Sequence, residues 1–532
     1  MSAPNRRRVA LRSTCFAVAA MLVASVLLAE AASGQRIAAI PRINNSDVEG
    51  SWDEPLDWGI KAAHMILLHT GKVLVIDQED DDTQIVKYKI FDPTNDSITV
   101  DPFDGPTGHY LFCAGHSQLP DGRILLAGGR FSGIGGTSIY DPTVQPSSSS
   151  WIDAGLPPAE RFYPTCTTLG SGEVLVTAGY LVEGFVESAD CKANTPNLFD
   201  SSASPAPQWY EMTGATYSHF PDIGGPEQDC DPANYEFHLS PYPFMFLLSN
   251  GNVLYCGADE IGTNLSAMYS RVLNPTAETW NDVFDDVPDP IAGGSAVHFR
   301  PNVVMKAGGF DGFGNSNKVY SINMNAGTPK WTQLASMQFD RKDFYLIALP
   351  DGQILTIGGG ADTTSVYNPE IFDPEHRQLG WQVLAPMTEM REYHSSAVLL
   401  PDARVVIAGG DESTTAQIFS PPYLFTANGT PATRPAISLV ASQNIITYGN
   451  GFTVTTSDAA DIERVSLIRL GAATHSFDHD QRFIPLEFTA ASNSLSVEAP
   501  ASGNHAPPGY YMLFIVNDDG VPSVAQIVKL QS

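Results

Sequence analysis

The chain repeats one pattern at intervals of about fifty residues, and this repeat restricts the fold severely. Each copy contains an apolar run, a turn of the Asp-Gly or Asn-Gly type in most cases, a second apolar run and small residues. Such turns join two antiparallel strands, so each copy is expected to contain a β-hairpin. Seven copies occur, at residues 65–77, 113–129, 163–179, 242–257, 296–309, 344–359 and 393–410.

The residues after most of these hairpins complete the repeat with a second pair of strands. Their turns carry Asp-Pro or Asn-Pro at 92–93, 141–142, 274–275 and 373–374, and five repeats continue to a tryptophan, at Trp151, Trp209, Trp280, Trp331 and Trp381. Small residues, an aromatic residue and then a tryptophan at this period form the kelch pattern of a four-stranded propeller blade. The sequence therefore predicts an all-β fold with a seven-bladed kelch-type β-propeller over residues 61–425.

One interval, between the third and fourth hairpins, is longer than the others by about twenty-eight residues. An insertion is therefore expected within residues 181–240, which contain Cys191 and Cys230. It either builds part of a binding face or forms a decorative loop held by a disulfide, and the sequence favours neither interpretation.

The period ends near residue 425, and the chain then alternates in shorter strands. The expected strands are residues 437–440, 451–455, 465–470, 482–486, 494–497, 510–517 and 525–530. Short strands with turn signals between them over about a hundred residues are typical of an immunoglobulin-like β-sandwich. We predict this second domain at residues 432–532.

Residues 1–31 have the organisation of a secretory signal peptide. Four arginines precede an apolar run from Cys15 to Leu28, and Ala29-Glu30-Ala31 follows as a cleavage site. The prediction is a secreted, extracellular protein; the alternative is an uncleaved signal that anchors it on the outer face of the membrane. Residues 32–60 are expected to form a lead-in before the first blade.

The charge balance excludes some classes of partner. The formal net charge is -30, and removal of residues 1–31, with their four arginines and one glutamate, makes it -33. This excess disfavours nucleic acid and anionic membrane surfaces. We expect a monomer whose substrate is a small neutral or cationic molecule.

The residues that could carry chemistry lie at the starts of blades. Propellers bind ligands along the central axis, where the innermost strands begin. Cys113 opens the second repeat, Tyr163 the third, and the adjacent pair Tyr393 and His394 the seventh. Radial symmetry would bring all of them to one axis. Because neighbouring side chains on a regular strand face opposite ways, Tyr393 and His394 can reach one metal only if the chain is irregular there.

The residues around these positions resemble the copper radical oxidases of the galactose oxidase and glyoxal oxidase family. Four motifs carry the resemblance: Phe112-Cys113-Ala114-Gly115, Arg161-Phe162-Tyr163, Arg391-Glu392-Tyr393-His394-Ser395, and Thr474-His475 followed by Asp480-Gln481-Arg482. The resemblance extends over the propeller and the sandwich. It implies that a copper ion is bound by Tyr163, Tyr393, His394 and His475.

The resemblance also implies a protein-derived Cys-Tyr radical cofactor, in which the sulfur of Cys113 is bonded to the ring of Tyr163. Cys113, Tyr163 and Tyr393 would be the catalytic residues, with Tyr393 as the general base. Two imidazoles and two phenol oxygens suit tetragonal Cu(II) better than tetrahedral Zn(II). The implied activity is oxidation of an aldehyde or a primary alcohol by dioxygen, with release of hydrogen peroxide. The alternative is a non-catalytic kelch propeller that binds a glycan or a protein at the cell surface.

The cysteine count fits this cofactor. Five cysteines remain once the signal peptide is removed, which is an odd number for a secreted chain. Pairing Cys113 with Tyr163 leaves Cys166, Cys191, Cys230 and Cys256, which are enough for two disulfides. The sequence does not fix their pairing; we favour Cys191 with Cys230.

Two departures from galactose oxidase favour the glyoxal oxidase branch. Galactose oxidase stacks a tryptophan over its modified tyrosine from a position where this chain has Tyr180-Leu181. In addition, only about thirty residues separate the signal from the first blade, too few for the sugar-binding domain of galactose oxidase. Four further histidines are expected outside the ligand set: His116, His64, His69 and His479. Of these, His116 is the strongest candidate to contact a ligand.

Overall fold

The computed structural model describes residues 45–78, 86–129, 136–159, 161–179, 194–216, 239, 241–258, 270–281, 293–310, 314–361 and 364–532. Within them the fold is all-β, and the α-helix is confined to Ser46–Glu49. Short 3-10 turns lie at Ser148–Ser150, Thr213–Ala215, Arg377–Leu379, Pro422–Leu424, Ser442–Asn444 and Ala459–Asp461. None of these described helices has the length and apolarity needed to cross a bilayer.

Seven antiparallel sheets form the blades of the predicted propeller. Blade one contains Ala62–Leu67, Val73–Asp77, Lys87–Asp92, Ser97–Ile98 and Phe103–Asp104; blade two, Gly115–Gln118, Ile124–Ala127, Thr137–Tyr140 and Trp151–Asp153. Blade three contains Thr165–Thr168, Val174–Thr177, Asn197–Asp200 and Gln208–Glu211; blade four, Pro243–Leu247, Val253–Ala258, Arg271–Asn274 and Thr279–Asn281. Blade five contains Ser295–Arg300, Val303–Ala307, Val319–Asn323 and Trp331–Gln333; blade six, Lys342–Ala348, Ile354–Ala361, Thr364–Ser365, Glu370–Phe372 and Gln382–Val383. Blade seven contains Ser395–Leu399, Val405–Gly409 and Thr415–Ser420.

The glycine pairs of the repeat let one blade approach the next. Gly308 has φ +63°, and a Cβ at this residue would lie 2.5 Å from the carbonyl oxygen of Arg341, which opens the following blade. The next residue, Gly309, donates its N–H to that same oxygen at 2.9 Å. A larger residue would therefore separate blades five and six, and this contact explains why the repeat requires small residues here.

The ring is closed by residues of the lead-in. Ser51–Trp52 and Leu56–Asp57 pair antiparallel with Thr415–Ser420, so that they supply the outermost strand of blade seven. Residues 32–60 were predicted to precede the propeller, whereas the structure includes 51–57 in its last blade. The repeat pattern could not indicate this pairing because these strands have only two residues each.

Trp52 is the largest side chain in this closing strand. Its ring packs on Phe419 at 4.9 Å and its Nε1 donates to the carbonyl of Ala385 at 2.7 Å. We expect Trp52→Ala to lower the free energy of unfolding by about 3 kcal/mol, since it removes both contacts. Trp52→Phe, which keeps the ring packing, should lose less than half of that in denaturant titrations. Equal losses in the two variants would contradict a packing role for the indole.

The C-terminal domain is a sandwich of two sheets. One contains Leu439–Val440, Gly451–Thr455, Ser494–Glu498 and Phe488–Ala490; the other contains Ile445–Thr447, Gln526–Gln531, Gly509–Asn517, Ile462–Arg469 and Phe483–Leu486. The seven expected strands are present, and the sequence patterns missed two short ones, Ile445–Thr447 and Phe488–Ala490. The fold is thus a seven-bladed kelch-type β-propeller followed by an immunoglobulin-like β-sandwich.

The prediction of two disulfides among the four remaining cysteines is wrong for two of them. Cys166 and Cys256 are free, buried thiols that pack in separate hydrophobic clusters. Burial raises the pKa of both thiols, that of Cys256 to about 12, so they behave as small apolar side chains. An even count of cysteines cannot distinguish this from pairing. Cys191 and Cys230 lie outside the described residues.

Candidate metal centre

The predicted site residues lie together at the centre of the propeller. The phenol oxygens of Tyr163 and Tyr393 are 3.0 Å apart. The Sγ atom of Cys113 lies 3.6 Å from Nε2 of His475. One potential ligand atom from each of Cys113, His394 and His475 lies within 4.8 Å of the others. These residues come from blades two, three and seven and from the sandwich, so the fold brings together residues that are far apart in the sequence.

A left-handed backbone turn precedes the innermost strand in several blades. Cys113, Tyr163 and His394 have φ values of 61°, 65° and 61°, and Tyr242 occupies the same position in blade four with 46°. In blade six the left-handed residue is Asp343, the second residue of the innermost strand, with 56°. Residues other than glycine rarely adopt this conformation, which costs about 1–3 kcal/mol and persists where the surrounding structure requires it. At Cys113, Tyr163 and His394 the required feature is a side chain that faces the axis.

Blade seven differs from the others by one additional residue, and this explains the adjacent pair. In blades three and six the left-handed residue follows the buried arginine by two positions, as Tyr163 follows Arg161. In blade seven His394 follows Arg391 by three, and Ser395 N–H closes a turn onto the carbonyl of Glu392 at 2.9 Å. Tyr393 is the inserted residue. The irregularity that the adjacency of Tyr393 and His394 requires is therefore present.

His475 reaches the axis on a hairpin of the sandwich domain. Ala472–Thr474 pairs antiparallel with Ala62–Leu67, so the hairpin extends blade one at its inner edge, and Phe477–Asp478 returns beside it. The two residues between these strands, His475 and Ser476, have φ values of 43° and 60°. The sequence predicted a loop here, because three small residues carry little strand signal.

The residues after the hairpin fix its position. Asp478 accepts the N–H groups of Ala472, Asp480 and Gln481 through Oδ1, which closes the base of the hairpin. The side chains of residues 480–482 each contact the innermost strand of a different blade: Asp480 contacts Gln118, Gln481 contacts Ala348, and Arg482 contacts Leu247. The Asp-Gln-Arg motif is therefore an anchor that holds His475 at the axis.

The two imidazoles are oriented by hydrogen bonds to Nδ1. Thr474 Oγ1 lies 2.7 Å from Nδ1 of His475, and Asp411 Oδ1 lies 2.7 Å from Nδ1 of His394. Burial, followed by the proximity of His394, lowers the pKa of His475 well below its ordinary value, so this ring is neutral. In both rings Nε2 is the atom left to face a metal. The sequence motifs did not indicate Asp411, although it directly follows the glycine pair of blade seven.

Asp411 provides a test of this orientation. We expect Asp411→Ala to raise the dissociation constant for Cu(II) about 10–100-fold, since partners that orient a ligating histidine contribute this much to metal affinity. Isothermal titration of the metal-free protein measures it. Glu412→Ala is the matched control, because the neighbouring carboxylate is 93% exposed and contacts only Lys61 among the ion pairs of the described residues. Equal affinities of the Asp411 and Glu412 variants would remove Asp411 from the site.

Tyr242 is a second residue that the sequence analysis did not select. Its ring stacks on His475 at 4.7 Å and meets the ring of Tyr163 edge-on at 5.0 Å. Its hydroxyl donates to the carbonyl of Ala114 at 3.2 Å, and its N–H donates to the carbonyl of Tyr163 at 2.8 Å. The sequence feature that could have identified Tyr242 is its position at the start of the fourth repeat, which is equivalent to the positions of Cys113 and Tyr163.

The ring nearest to Tyr163 that the structure describes is Phe162. The two centroids lie 4.0 Å apart at an interplanar angle of 55°. Tyr180 and Leu181, which stand where galactose oxidase supplies its stacking tryptophan, lie outside the described residues. Phe162 is therefore a candidate to shield the ring of Tyr163 from solvent.

The four histidines that were expected outside the ligand set divide into two groups. His64, His116 and His479 are buried beside the site, and Nε2 of His64 lies 3.2 Å from the backbone nitrogen of Cys113. His69 lies in the turn that follows Ala62–Leu67, where it stacks on Tyr510 at 4.6 Å. His64, rather than the expected His116, makes the direct contact with a predicted site residue.

The donor set fits a copper ion. Two imidazole nitrogens with fixed orientation and two phenol oxygens form the mixed N,O field that Cu(II) prefers. A nearby cation is also what allows a phenol, with an ordinary pKa of about 10, to ionise readily.

Known proteins are similar to this chain in sequence and in fold. The family descriptions "Glyoxal oxidase N-terminus" and "Galactose oxidase-like, Early set domain" match residues 302–424 and 434–530. Galactose oxidase of Gibberella zeae is 29% identical over 512 residues, covering 90% of this chain and 70% of the relative. Aldehyde oxidase GLOX of Vitis pseudoreticulata is 26% identical over 471 residues, covering 79% and 82%. A solved fungal alcohol oxidase of the AA5 family, in complex with copper, superposes with a TM-score of 0.75 at 25% identity, covering 91% of this chain and 100% of that one.

Fold, site and relatives together define a copper-dependent oxidase. In sequence and in fold the chain is similar to members of the galactose oxidase and glyoxal oxidase family.

Proposed function

We propose that this chain is a secreted copper radical oxidase that oxidises an aldehyde or a primary alcohol with dioxygen and releases hydrogen peroxide. The observation that carries the proposal is the contact of the two phenols, Tyr163 and Tyr393, at 3.0 Å, beside Cys113 and two imidazoles. A purely structural core has no need of two phenols, a thiol and two histidines at one axis, four of them on residues with a left-handed backbone.

Each site residue has a role in this proposal. Tyr163, Tyr393, His394 and His475 hold the copper ion, which supplies a one-electron redox couple when bound. The sulfur of Cys113 is bonded to the ring of Tyr163, and the resulting Cys-Tyr unit is the second one-electron centre. Asp411 and Thr474 hold the two imidazoles with Nε2 toward the ion. No organic cofactor is required.

The reaction then depends on two tyrosines with different tasks. Tyr393 accepts the proton of the substrate hydroxyl, or of the hydrate of an aldehyde, at its phenolate oxygen. The Cys113–Tyr163 unit would accept a hydrogen atom from the adjacent substrate carbon at Tyr163, and the copper ion would accept the second electron. The substrate leaves as the oxidised carbonyl or acid product, and dioxygen receives the two electrons and two protons as hydrogen peroxide. The 3.0 Å separation of the phenols allows one bound substrate to reach both.

A substrate screen tests the proposal. Copper-loaded protein is mixed with simple aldehydes, α-hydroxy carbonyls and primary alcohols, and peroxide is detected with a coupled peroxidase. We expect turnover of at least one of these substrates and none by metal-free protein. Protein that binds copper but oxidises none of these substrates would favour the alternative of a non-catalytic propeller.

Secretion is part of the same proposal and has a separate test. Residues 1–44 lie outside the described residues, so the support comes from the arginines, apolar run and small residues of segment 1–31. The protein recovered from culture medium should begin after residue 31. Full-length protein that stays with the membrane fraction would support the anchored form.

A further inference from the structure

Three histidines outside the proposed ligand set form a buried row behind Cys113. His64, on the innermost strand of blade one, is fully buried, as is His116 on that of blade two; His479, beyond the hairpin of the sandwich, is 6% exposed. Nδ1 of His64 and Nε2 of His116 lie 3.2 Å apart. The rings of His116 and His479 stack at 5.1 Å. The oxidase chemistry proposed above assigns these residues no task.

The hydrogen bonds fix the positions of the protons in this row. The backbone N–H of Cys113 donates to Nε2 of His64 at 3.2 Å, so that nitrogen carries a lone pair. Burial lowers the pKa of His64 to about 3, so the ring is neutral and its proton is on Nδ1. His64 therefore donates from Nδ1 to Nε2 of His116, whose own proton must be on Nδ1.

This arrangement has a cost within the core. The Nδ1–H group of His116 is buried and has no hydrogen-bond partner among the residues that the structure describes. An unsatisfied buried donor destabilises the folded state, and native structures tolerate few of them. His116 thus accepts a hydrogen bond from His64 at Nε2, while its own donor at Nδ1 is left unsatisfied. The hydrogen bond between His64 and His116 holds His64 in the tautomer whose Nε2 can accept the N–H of Cys113.

The peptide groups on both sides of Cys113 are held as a result. Its N–H is bound by His64, and its carbonyl accepts the N–H of Tyr163 at 3.1 Å. Between these two bonds the residue has φ 61°, a conformation that a cysteine does not adopt without support. Its Sγ is then 3.6 Å from His475, toward the face that Tyr163 also occupies.

We propose that His64, held by His116, is the positioning residue for the reaction that bonds Cys113 to Tyr163. The inference rests on the proposed oxidase function. In that reaction a bond forms between Sγ and a ring carbon of Tyr163, and the thiol hydrogen and one ring hydrogen are lost. Dioxygen takes up the two protons and two electrons to give hydrogen peroxide, with copper present. His64 touches neither reacting atom; it sets the direction in which Sγ projects.

The test follows cross-link formation in full-length variants after Cu(II) and dioxygen are added to metal-free protein. The intact mass falls by two hydrogen atoms as the bond forms. We expect His64→Asn to lengthen the half-time at least tenfold, because its side-chain oxygen ends one carbon short of Nε2. His64→Gln, whose oxygen reaches that position, should restore a half-time within threefold of wild type. His69→Asn, in the same blade but away from Cys113, is the matched control and should match wild type.

A second variant keeps the inference testable if His64→Asn does not fold. His116→Phe keeps an aromatic ring but removes the acceptor for His64, so it should also slow the cross-link, by at least threefold. Copper affinity, titrated separately, should remain within threefold of wild type in every variant. Wild-type half-times in the folded variants, whether His64→Asn or His116→Phe, would overturn the role of His64. A wild-type protein that binds copper and never forms the cross-link would instead overturn the proposed cofactor.

Discussion

Replacement of Tyr393 by phenylalanine is expected to leave copper bound and to abolish peroxide production. The variant keeps the other three proposed ligands, Tyr163, His394 and His475, but has no oxygen to accept the substrate proton. Loss of a general base lowers turnover by about 10²–10⁴-fold, and loss of a ligand adds to this. The cross-link between Cys113 and Tyr163 should still form, since neither of its residues is changed.

The measurements are copper content by elemental analysis and turnover in the peroxide-coupled assay. Tyr367→Phe is the matched control, because this tyrosine is 41% exposed and lies outside the site. It should retain wild-type turnover. Tyr393→Phe protein that binds copper and turns over at the wild-type rate would remove Tyr393 from the mechanism.

Replacement of Asp480 by alanine is expected to cause the largest loss of stability. Asp480 and Arg469 form an ion pair at 3.1 Å in which both side chains are 1% exposed. Asp480 also accepts hydrogen bonds from Ser117 and from the backbone of Gln118 in blade two. Removal of one partner of a buried pair leaves the other charge uncompensated and costs about 3–5 kcal/mol.

The same change should also disturb the metal centre, because Asp480 anchors the hairpin that carries His475. We expect a lower melting temperature together with weaker Cu(II) binding, measured by calorimetry and titration. Asp519→Ala, an exposed aspartate in a loop of the same domain, should change neither. If Asp480→Ala lost stability but bound copper as tightly as wild type, the anchor would not position His475.

The sequence was sufficient to locate the blades and the residues that meet at the axis. The glycine pairs and hairpin turns are local features with a fixed period, so each blade could be identified independently. Radial symmetry then predicted that the first residues of blades two, three and seven lie close together at the axis. Cys113, Tyr163 and the pair Tyr393 and His394 followed from this, while His475 required the resemblance of its motif.

What the sequence could not provide depends on contacts between distant segments. The closing strands at Ser51–Trp52 and Leu56–Asp57 are too short to carry a pattern of their own. The hairpin around His475 is a strand only because blade one offers an edge. The support of His394 by Asp411 depends on the rotamers of both side chains. Cys166 and Cys256 show that a cysteine count alone does not separate disulfides from buried thiols.

The Cys-Tyr cofactor is the central claim, and peptide mass spectrometry tests it most directly. Copper-loaded wild-type protein, exposed to dioxygen and digested, should yield one peptide that joins the segments containing Cys113 and Tyr163. Its mass should be the sum of the two segments less two hydrogen atoms, and Cys113→Ala protein should not yield it. A Cys113 thiol that remains open to alkylation in fully copper-loaded, oxygenated protein would contradict the account.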